Sequence, residues 1–139
     1  MTPEQRQIVQ DTWQQVITIA DTAAQMFYAR LFAIDPTTRP LFKAESLAEQ
    51  RRKLMQVLGV AVHGLAHLDD LLPVVEDLGR RHERYGVTAA HYDSVGSALL
   101  WTLEQGLGKA WSADAKAAWS EAYALFSGVM QRASVLAAA

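Results

Sequence analysis

The sequence predicts an all-α fold, and three observations support this prediction. Apolar residues recur at helical spacing along the chain, predicted helix starts carry capping residues, and glycine follows predicted helix ends. No run alternates between apolar and polar residues in the manner of a half-buried strand. With 139 residues, half of them hydrophobic, residues 1–139 are expected to form one domain with a substantial core.

Local signals place the helix boundaries. The N-cap candidates, several with proline or an amide or acid at the favoured later position, are Thr2–Gln5, Asp35–Pro36, Ser46–Glu49, Thr88 and Ser112. The end signals are Gly86 and Gly106–Gly108. The predicted helices span about 3–20, 22–34, 36–42, 47–67, 71–85, 89–106 and 113–135. Helices this unequal, with a very short third one, predict an irregular arrangement packed around something rather than a four-helix bundle.

Apolar stripes support these helices. The stripe of helix 47–67 consists of Leu54, Val57, Leu58, Ala61, Val62 and Leu65. The stripe of the last helix consists of Ala118, Trp119, Ala122, Phe126, Val129 and Met130.

Composition excludes several classes of function. The net charge is −2, from 13 basic and 15 acidic residues, which gives no electrostatic footprint for nucleic acid. The absence of cysteine excludes disulfides, thiolate catalysis and iron–sulfur clusters. The first residues do not resemble a signal peptide, and the apolar stretch 54–68 is interrupted by polar residues and short for a bilayer span. A cytoplasmic protein without membrane or nucleic-acid partners is therefore expected.

His82 is the first candidate for chemistry. It follows Val75 and Leu78 on the apolar stripe of its helix, while charged residues occupy the other sides. An imidazole on such a face can bond within the core, transfer protons or ligate a metal. No catalytic serine, cysteine or carboxylate pair accompanies it, so the residues alone leave these alternatives open.

Three further side chains give the His82 position a context. Tyr28 lies on an apolar stripe, Gln50 opens the stripe of helix 47–67, and Phe42 closes the short third helix. Each alone has an ordinary structural explanation. Together they would line a flat apolar slot with a few placed polar groups, which is the composition of a cofactor pocket.

The other three histidines are weaker candidates for a site. His63 and His67 form an i, i+4 pair with Asp70 beyond, a spacing that can bind a metal. However, His63 is expected to face outward, and no third ligand is firmly placed. His91, just after the N-cap candidate Thr88, is expected to be an exposed first-turn residue.

Four segments, in order along the chain, resemble the bacterial single-domain haemoglobins, which are similar to the haem domain of flavohaemoglobins. They are residues 27–32 (FYARLF), 39–42 (RPLF), 78–87 (LGRRHERYGV) and 91–96 (HYDSVG). The resemblance implies a globin fold, with about seven helices around haem b (iron protoporphyrin IX). It implies that His82 is the proximal iron ligand and that Phe42 packs flat on the haem.

The same resemblance assigns the remaining pocket positions. On the distal side it implies Tyr28, Gln50 and Leu54; on the proximal side it implies Tyr92, Val87 and Val95. Lys53 and Arg81 are expected near the pocket rim as partners of the haem propionates, with an ordinary surface role as the alternative.

Two departures from the family pattern bear on function. Asp93 stands where proline often follows the His-Tyr pair, and no acidic residue follows Glu121, although the flavohaemoglobin branch pairs the proximal His and Tyr with a carboxylate in the last helix. A proximal network that supports oxygen chemistry is therefore in doubt.

Three functions remain open from the sequence. The first is reversible binding of O2, and of NO and CO, at ferrous iron, for storage, delivery or sensing. The second is nitric oxide dioxygenation, which would require an external reductase because the chain has no Gly-rich nucleotide motif. The third is a haem-free helical interaction module. The oligomeric state is not predicted.

Overall fold

The computed structural model describes residues 1–42 and 47–138, and within these ranges it contains helices and no strand. The α-helices are α1 (Pro3–Val16), α2 (Ala20–Ile34), α3 (Leu47–Gly64), α4 (Leu68–Arg84), α5 (Ala89–Leu107) and α6 (Ala113–Ala138). Short 3₁₀ segments lie at Ile17–Ile19, Pro36–Leu41, Leu65–His67 and Gly108–Ala110. The predicted all-α fold is confirmed.

Predicted caps fix several helix starts. The side chains of Thr2, Asp35 and Ser112 each accept a backbone N–H from the turn that follows. Gly86, with φ of 87°, ends the turn after α4, a conformation that glycine adopts without steric cost. The Ser46 part of the predicted capping box lies outside the described residues.

The predicted third helix, 36–42, is instead a 3₁₀ segment, Pro36–Leu41. Its hydrogen bonds join residues three apart, as from the Phe42 N–H to the Arg39 carbonyl at 3.2 Å. Pro40 explains the difference, because it has no N–H to complete an α-helical bond to the carbonyl of Pro36.

Residues Leu47–Arg84 form a nearly continuous helical run, and by length and composition alone this run is apolar enough to cross a membrane. This run of 38 residues is longer than the apolar stretch 54–68, which was expected to be short for a bilayer span. It is not one straight rod, because His67 leaves the helical conformation at φ −135° and ψ 60°. A β-carbon on Gly64 would lie 2.7 Å from the Leu71 side chain, so the start of α4 folds back onto the end of α3.

Two clusters of buried residues hold the helices together. The larger joins α1, α2, α3, α5 and α6 around Leu31, Leu103 and Trp119. The smaller joins α4 to α6 through Leu71, Val75 and Val129. Leu54 and Leu58 pack at the edge of the larger cluster, but the stripe prediction was wrong for Val57, which is exposed because the face of α3 that carries it points away from that cluster.

Candidate functional site

His82 lies near the C-terminal end of α4 and is half-buried. Its Nδ1 lies 2.7 Å from the carbonyl oxygen of Leu78, one turn earlier. A carbonyl oxygen only accepts, so Nδ1 carries the proton and donates it, and in the neutral ring Nε2 keeps its lone pair. Nε2 has no hydrogen-bond partner among the described residues, which leaves it available as a metal ligand.

Two tyrosines flank the His82 ring. The Tyr85 ring centre is 5.7 Å from that of His82 and tilted by 57°, and Tyr85 is largely exposed. The Tyr92 ring centre is 6.5 Å away and tilted by 33°, and Tyr92 is buried. Burial raises the pKa of the Tyr92 hydroxyl, so the side chain stays neutral.

Two further polar side chains, Tyr28 on α2 and Gln50 on α3, are joined by a hydrogen bond. Gln50 Nε2 donates a hydrogen bond to the Tyr28 hydroxyl oxygen at 3.2 Å. Tyr28 is buried, and burial raises the pKa of its hydroxyl, against a smaller lowering from the Gln50 hydrogen bond. Because Gln50 occupies the oxygen as a donor, the Tyr28 proton remains free to be donated to a third group.

Aromatic rings surround the Tyr28 end of the site. The Phe42 ring meets the Tyr28 ring edge-on at 5.2 Å between ring centres. Phe32 lies 5.8 Å from Tyr28 and 5.7 Å from Phe42, which closes a three-ring group. Phe32 was not among the predicted site residues, although it ends the segment 27–32; its position four residues after Tyr28 was the available signal for a site role.

The site residues thus form two groups, Tyr28 with Gln50 and Phe42, and His82 with Tyr92. Among the described residues, no hydrogen bond or ring contact joins one group to the other. The first belongs to α2, α3 and the end of the 3₁₀ segment, and the second to α4 and α5. Different helices therefore present two polar centres, each with an aromatic ring beside it.

In the part of the chain that the structure describes, the other residues predicted for the pocket take no part in the side-chain hydrogen bonds and ring contacts of these two groups. Leu54 and Val95 are half-buried at the edge of the larger cluster, and the Val87 N–H donates to the His82 carbonyl at 3.1 Å. Lys53 is exposed. Arg81 forms a 2.8 Å ion pair with Asp77. Within the described residues, neither cation contacts His82 or the Tyr28–Gln50 pair.

A polar network ties the start of α5 to the 3₁₀ segment. His91 Nδ1 accepts the Thr88 N–H at 3.0 Å, so in the neutral ring Nε2 carries the proton and donates it to the Thr37 hydroxyl at 3.1 Å. Asp35 accepts hydrogen bonds from Thr37 and from Ser94. The expectation that His91 is exposed was therefore wrong, because the residue is half-buried and connects two elements. Its Thr37 partner lies 54 residues away in sequence.

The alternative metal site gains no support from the geometry. His63, His67 and Asp70 are exposed and line a shallow groove of about 590 Å³ on the outer side of α3 and α4. Over the described ranges, no three His, Cys, Asp or Glu residues lie close enough together to hold a metal ion. The break at His67 disrupts the helical spacing on which that prediction depended.

Comparison with known proteins gives the family. The Globin family model matches residues 25–130. Flavohemoproteins of Bordetella parapertussis and Bordetella bronchiseptica are each 35% identical over 127 residues, covering 88% of this chain and 31% of theirs. Neuroglobin of Chaenocephalus aceratus is 28% identical over 149 aligned positions, covering 95% of this chain and 91% of its own. The structure of a bacterial globin from Campylobacter jejuni matches with a TM-score of 0.85 over 99% of both chains, at 23% identity.

The chain belongs to the globin family, and its fold is that of a bacterial globin. It spans about a third (31%) of the length of the flavohemoproteins that it matches. Membership of this family implies a haem protein that binds small gases.

The residues present fit a haem group. An iron ligand needs an unprotonated ring nitrogen, and the Leu78 hydrogen bond leaves Nε2 of His82 in that state. A polar gas ligand would be stabilised by a hydrogen-bond donor in a mostly apolar surround, and Tyr28 offers one beside Phe32 and Phe42.

Proposed function

We propose that residues 1–139 act as one haem b domain that reversibly binds O2, and also CO and NO, for storage, delivery or sensing, in the cytoplasm. The proposal depends on the hydroxyl hydrogen of Tyr28, which is not used in the hydrogen bond with Gln50. A buried donor that is itself oriented by Gln50 suits a small polar ligand, and a purely structural pair would have no use for the remaining proton.

His82 would hold the metal. Its Nδ1–H bond to the Leu78 carbonyl fixes both the tautomer and the plane of the ring, so Nε2 would be preorganised to donate its lone pair to the metal. When bound, the haem iron supplies the open coordination position at which a diatomic gas binds. A neutral imidazole without a charged partner supports binding and release.

Tyr28 and Gln50 would select and retain the ligand. A hydrogen bond donated by Tyr28 to a polar diatomic ligand in a dry pocket is worth about 1–3 kcal/mol. Gln50 orients that hydroxyl, and Phe42 and Leu54 restrict the entry of water. This arrangement slows the release of O2 more than it slows the release of the less polar CO.

Absorption spectra of the purified protein in the ferric, ferrous and gas-bound forms test the proposal. We expect a Soret band and reversible spectral change with O2, and we expect His82→Ala to lose haem. His63→Ala is the matched control, because that exposed histidine touches neither group of the site. A colourless protein, or a His82→Ala variant with the wild-type haem spectrum and affinity, would overturn the assignment; the former result favours a haem-free interaction module.

Nitric oxide dioxygenation is the second candidate, and the similarity to flavohemoproteins favours it. Each turnover would require an electron from a separate reductase. Nitric oxide consumption by the oxygenated protein, measured with and without an added flavin reductase, separates the two candidates. Sustained consumption that depends on the reductase supports the enzyme, and a single stoichiometric turnover supports the gas-binding function.

A further inference from the structure

The outer side of α3 and the start of α4 enclose a shallow groove, separate from the two groups of the candidate site. Val60 on α3 and Asp70 and Val74 on α4 line it, and Gly59 and Gly64 line it without contributing a side chain. We call this surface the α3–α4 groove. It is open to solvent and largely apolar, so it offers a partner both space and apolar area.

Three valines on and beside the groove are strongly exposed. Val60 is 52% exposed and Val74 is 48% exposed, and Val57, one turn before Val60 on α3, is 44% exposed. A single exposed apolar residue is ordinary on a protein surface, whereas neighbouring ones that form a patch mark an interaction site. The three valines form such a patch, because they share one groove and the helix turn next to it.

The two ends of this surface carry opposite charge. On α3, Glu49 balances Arg52 at 3.7 Å, whereas the exposed Lys53 forms no ion pair with a described residue. Asp69 and Asp70 are exposed in the first turn of α4, where a helix favours acidic side chains, and they too lack an ion pair over residues 1–42 and 47–138. The α3–α4 groove therefore has a basic end and an acidic end.

Val60 lies between these two ends. Lys53 precedes it by seven residues, which is two helical turns or about 10 Å, so the two residues lie on the same side of α3. Gly64 lies about 6 Å beyond Val60, and there the start of α4, with Asp70 and Leu71, folds back onto α3. A two-fold axis near Val60 would therefore bring Lys53 of each copy towards Asp70 of the other, because the same patch is used on both chains.

A lipid surface suits this patch less well than a second copy does. The run Leu47–Arg84 is apolar enough for a membrane by composition, but an anionic bilayer that attracts Lys53 would repel Asp69 and Asp70. A copy related by two-fold symmetry places an opposite charge against each end and covers the valines between them.

We propose that a second copy of this chain covers the α3–α4 groove in a two-fold symmetric dimer, in which Lys53 of each copy faces Asp70 of the other and Val57 and Val60 pack at the centre. The apolar centre supplies the affinity, and the charged ends fix the antiparallel register of the two α3 helices. The proposal does not depend on haem, so its failure would leave the proposed function untouched.

Sedimentation velocity of the full chain at low salt tests for the dimer. We expect the mass to rise towards twice the 15.4 kDa of one chain as the concentration increases to about 0.5 mM. Val60→Ser removes apolar area at the centre and is expected to weaken association by about tenfold or more. Ile34→Ser is the matched control, because Ile34 is 40% exposed at the end of α2 and does not line the groove.

Charge exchange tests the register. Lys53→Glu and Asp70→Lys each place like charges together at both ends of the dimer, so each alone is expected to weaken association by about tenfold. A mixture of the two single variants, and the double variant, should associate as the wild type does, because opposite charges again face each other across the axis. Lys116→Glu, at an exposed lysine on α6 without a described ion pair, is the control and should change nothing.

The contrary results are equally specific. A wild-type chain that stays monomeric throughout, or that binds phosphatidylglycerol vesicles as a monomer, overturns the proposal. A dimer that Val60→Ser leaves intact uses a different surface and overturns it as well. A mixture of Lys53→Glu and Asp70→Lys that associates no better than either variant alone overturns the two-fold register.

Discussion

Gly79 and Met130 meet backbone to backbone where α4 crosses α6. A β-carbon on Gly79 would lie 2.3 Å from the Met130 carbonyl oxygen and 2.6 Å from its α-carbon. Real β-carbons essentially never approach backbone atoms to under 3.0 Å, so any larger residue at position 79 must push the helices apart. His82 lies three residues later on α4, so the position of the residue proposed to hold the haem iron depends on this contact.

Gly79→Ala is therefore expected to destabilise the fold and weaken haem retention. Alanine gains about 1 kcal/mol of helix propensity, but forced displacement of packed helices costs about 1–3 kcal/mol. We expect a net loss of up to about 2 kcal/mol in the free energy of unfolding, by urea titration, with faster haem transfer to an acceptor protein. Gly59→Ala is the control, because its β-carbon would meet only the Trp13 side chain, at 3.7 Å, and it should be neutral or stabilising. If both variants behave alike, the close crossing is not the cause.

The Tyr28–Gln50 pair gives a prediction for ligand release. Tyr28→Phe removes the donor that Gln50 orients, and loss of about 1.4 kcal/mol or more corresponds to O2 dissociation that is roughly tenfold or more faster. The less polar ligand CO should change by less than about threefold. Gln50→Leu, which keeps the donor but removes its orienting partner, is expected to have a smaller effect. Stopped-flow ligand replacement measures these rates.

The control for this series is Tyr123→Phe, which loses a tyrosine hydroxyl that donates to the Tyr92 carbonyl on α5. Its O2 dissociation rate should match that of the wild type. Equal acceleration of O2 and CO release in Tyr28→Phe would indicate a loosened pocket rather than a lost hydrogen bond.

Features governed by neighbours in sequence were predictable. The caps at Thr2, Asp35 and Ser112 follow from rules that span a single turn, and the structure has them. The hydrogen bond from His82 to the Leu78 carbonyl also spans a single turn, because residues four apart meet on a helix. Positions of this kind do not depend on how the helices pack.

Features governed by packing between helices were not predictable from local patterns. Val57 has the same spacing as its buried neighbours, yet it is 44% exposed, because the orientation of α3 decides which side of a broad stripe meets the core. The contact between His91 and Thr37 joins residues 54 apart. The unsatisfied Tyr92 hydroxyl has no sequence signature, since it is defined by what surrounds it in space.

A buried hydrogen bond between α1 and α6 gives a third prediction. Trp119 Nε1 donates to the Thr12 hydroxyl at 2.8 Å, and Thr12 donates to the Ile8 carbonyl at 2.7 Å. Thr12→Val keeps the shape but leaves the buried indole N–H unsatisfied, which costs about 1–3 kcal/mol of unfolding free energy. Urea titration measures this loss.

Thr102→Val provides a matched comparison. Thr102 is also buried, but its hydroxyl donates only to the Ala98 carbonyl within its own helix. Removal of that bond leaves no buried donor unpaired, so we expect a change of less than about 1 kcal/mol. Equal losses of unfolding free energy for the two variants would show that the indole hydrogen bond stabilises the fold no more than the bond of Thr102 within its own helix does.

Asp35 predicts a dependence of stability on pH. Hydrogen bonds from Ser94 and then Thr37 hold the pKa of the Asp35 carboxyl below its usual range. A carboxyl whose folded pKa is lower than its unfolded pKa of about 3.9 stabilises the fold above that value, and the contribution disappears as the pH falls through the folded pKa. The Tm of the wild type should therefore exceed that of Asp35→Asn by most near pH 7, and the gap should narrow below about pH 4. Ser94→Ala removes the first of these donors, so its Tm near pH 7 should lie between that of the wild type and that of Asp35→Asn. A gap that is constant from pH 7 to pH 3 would mean that asparagine loses only cap geometry, and that the charge on Asp35 does not hold α5 to the 3₁₀ segment.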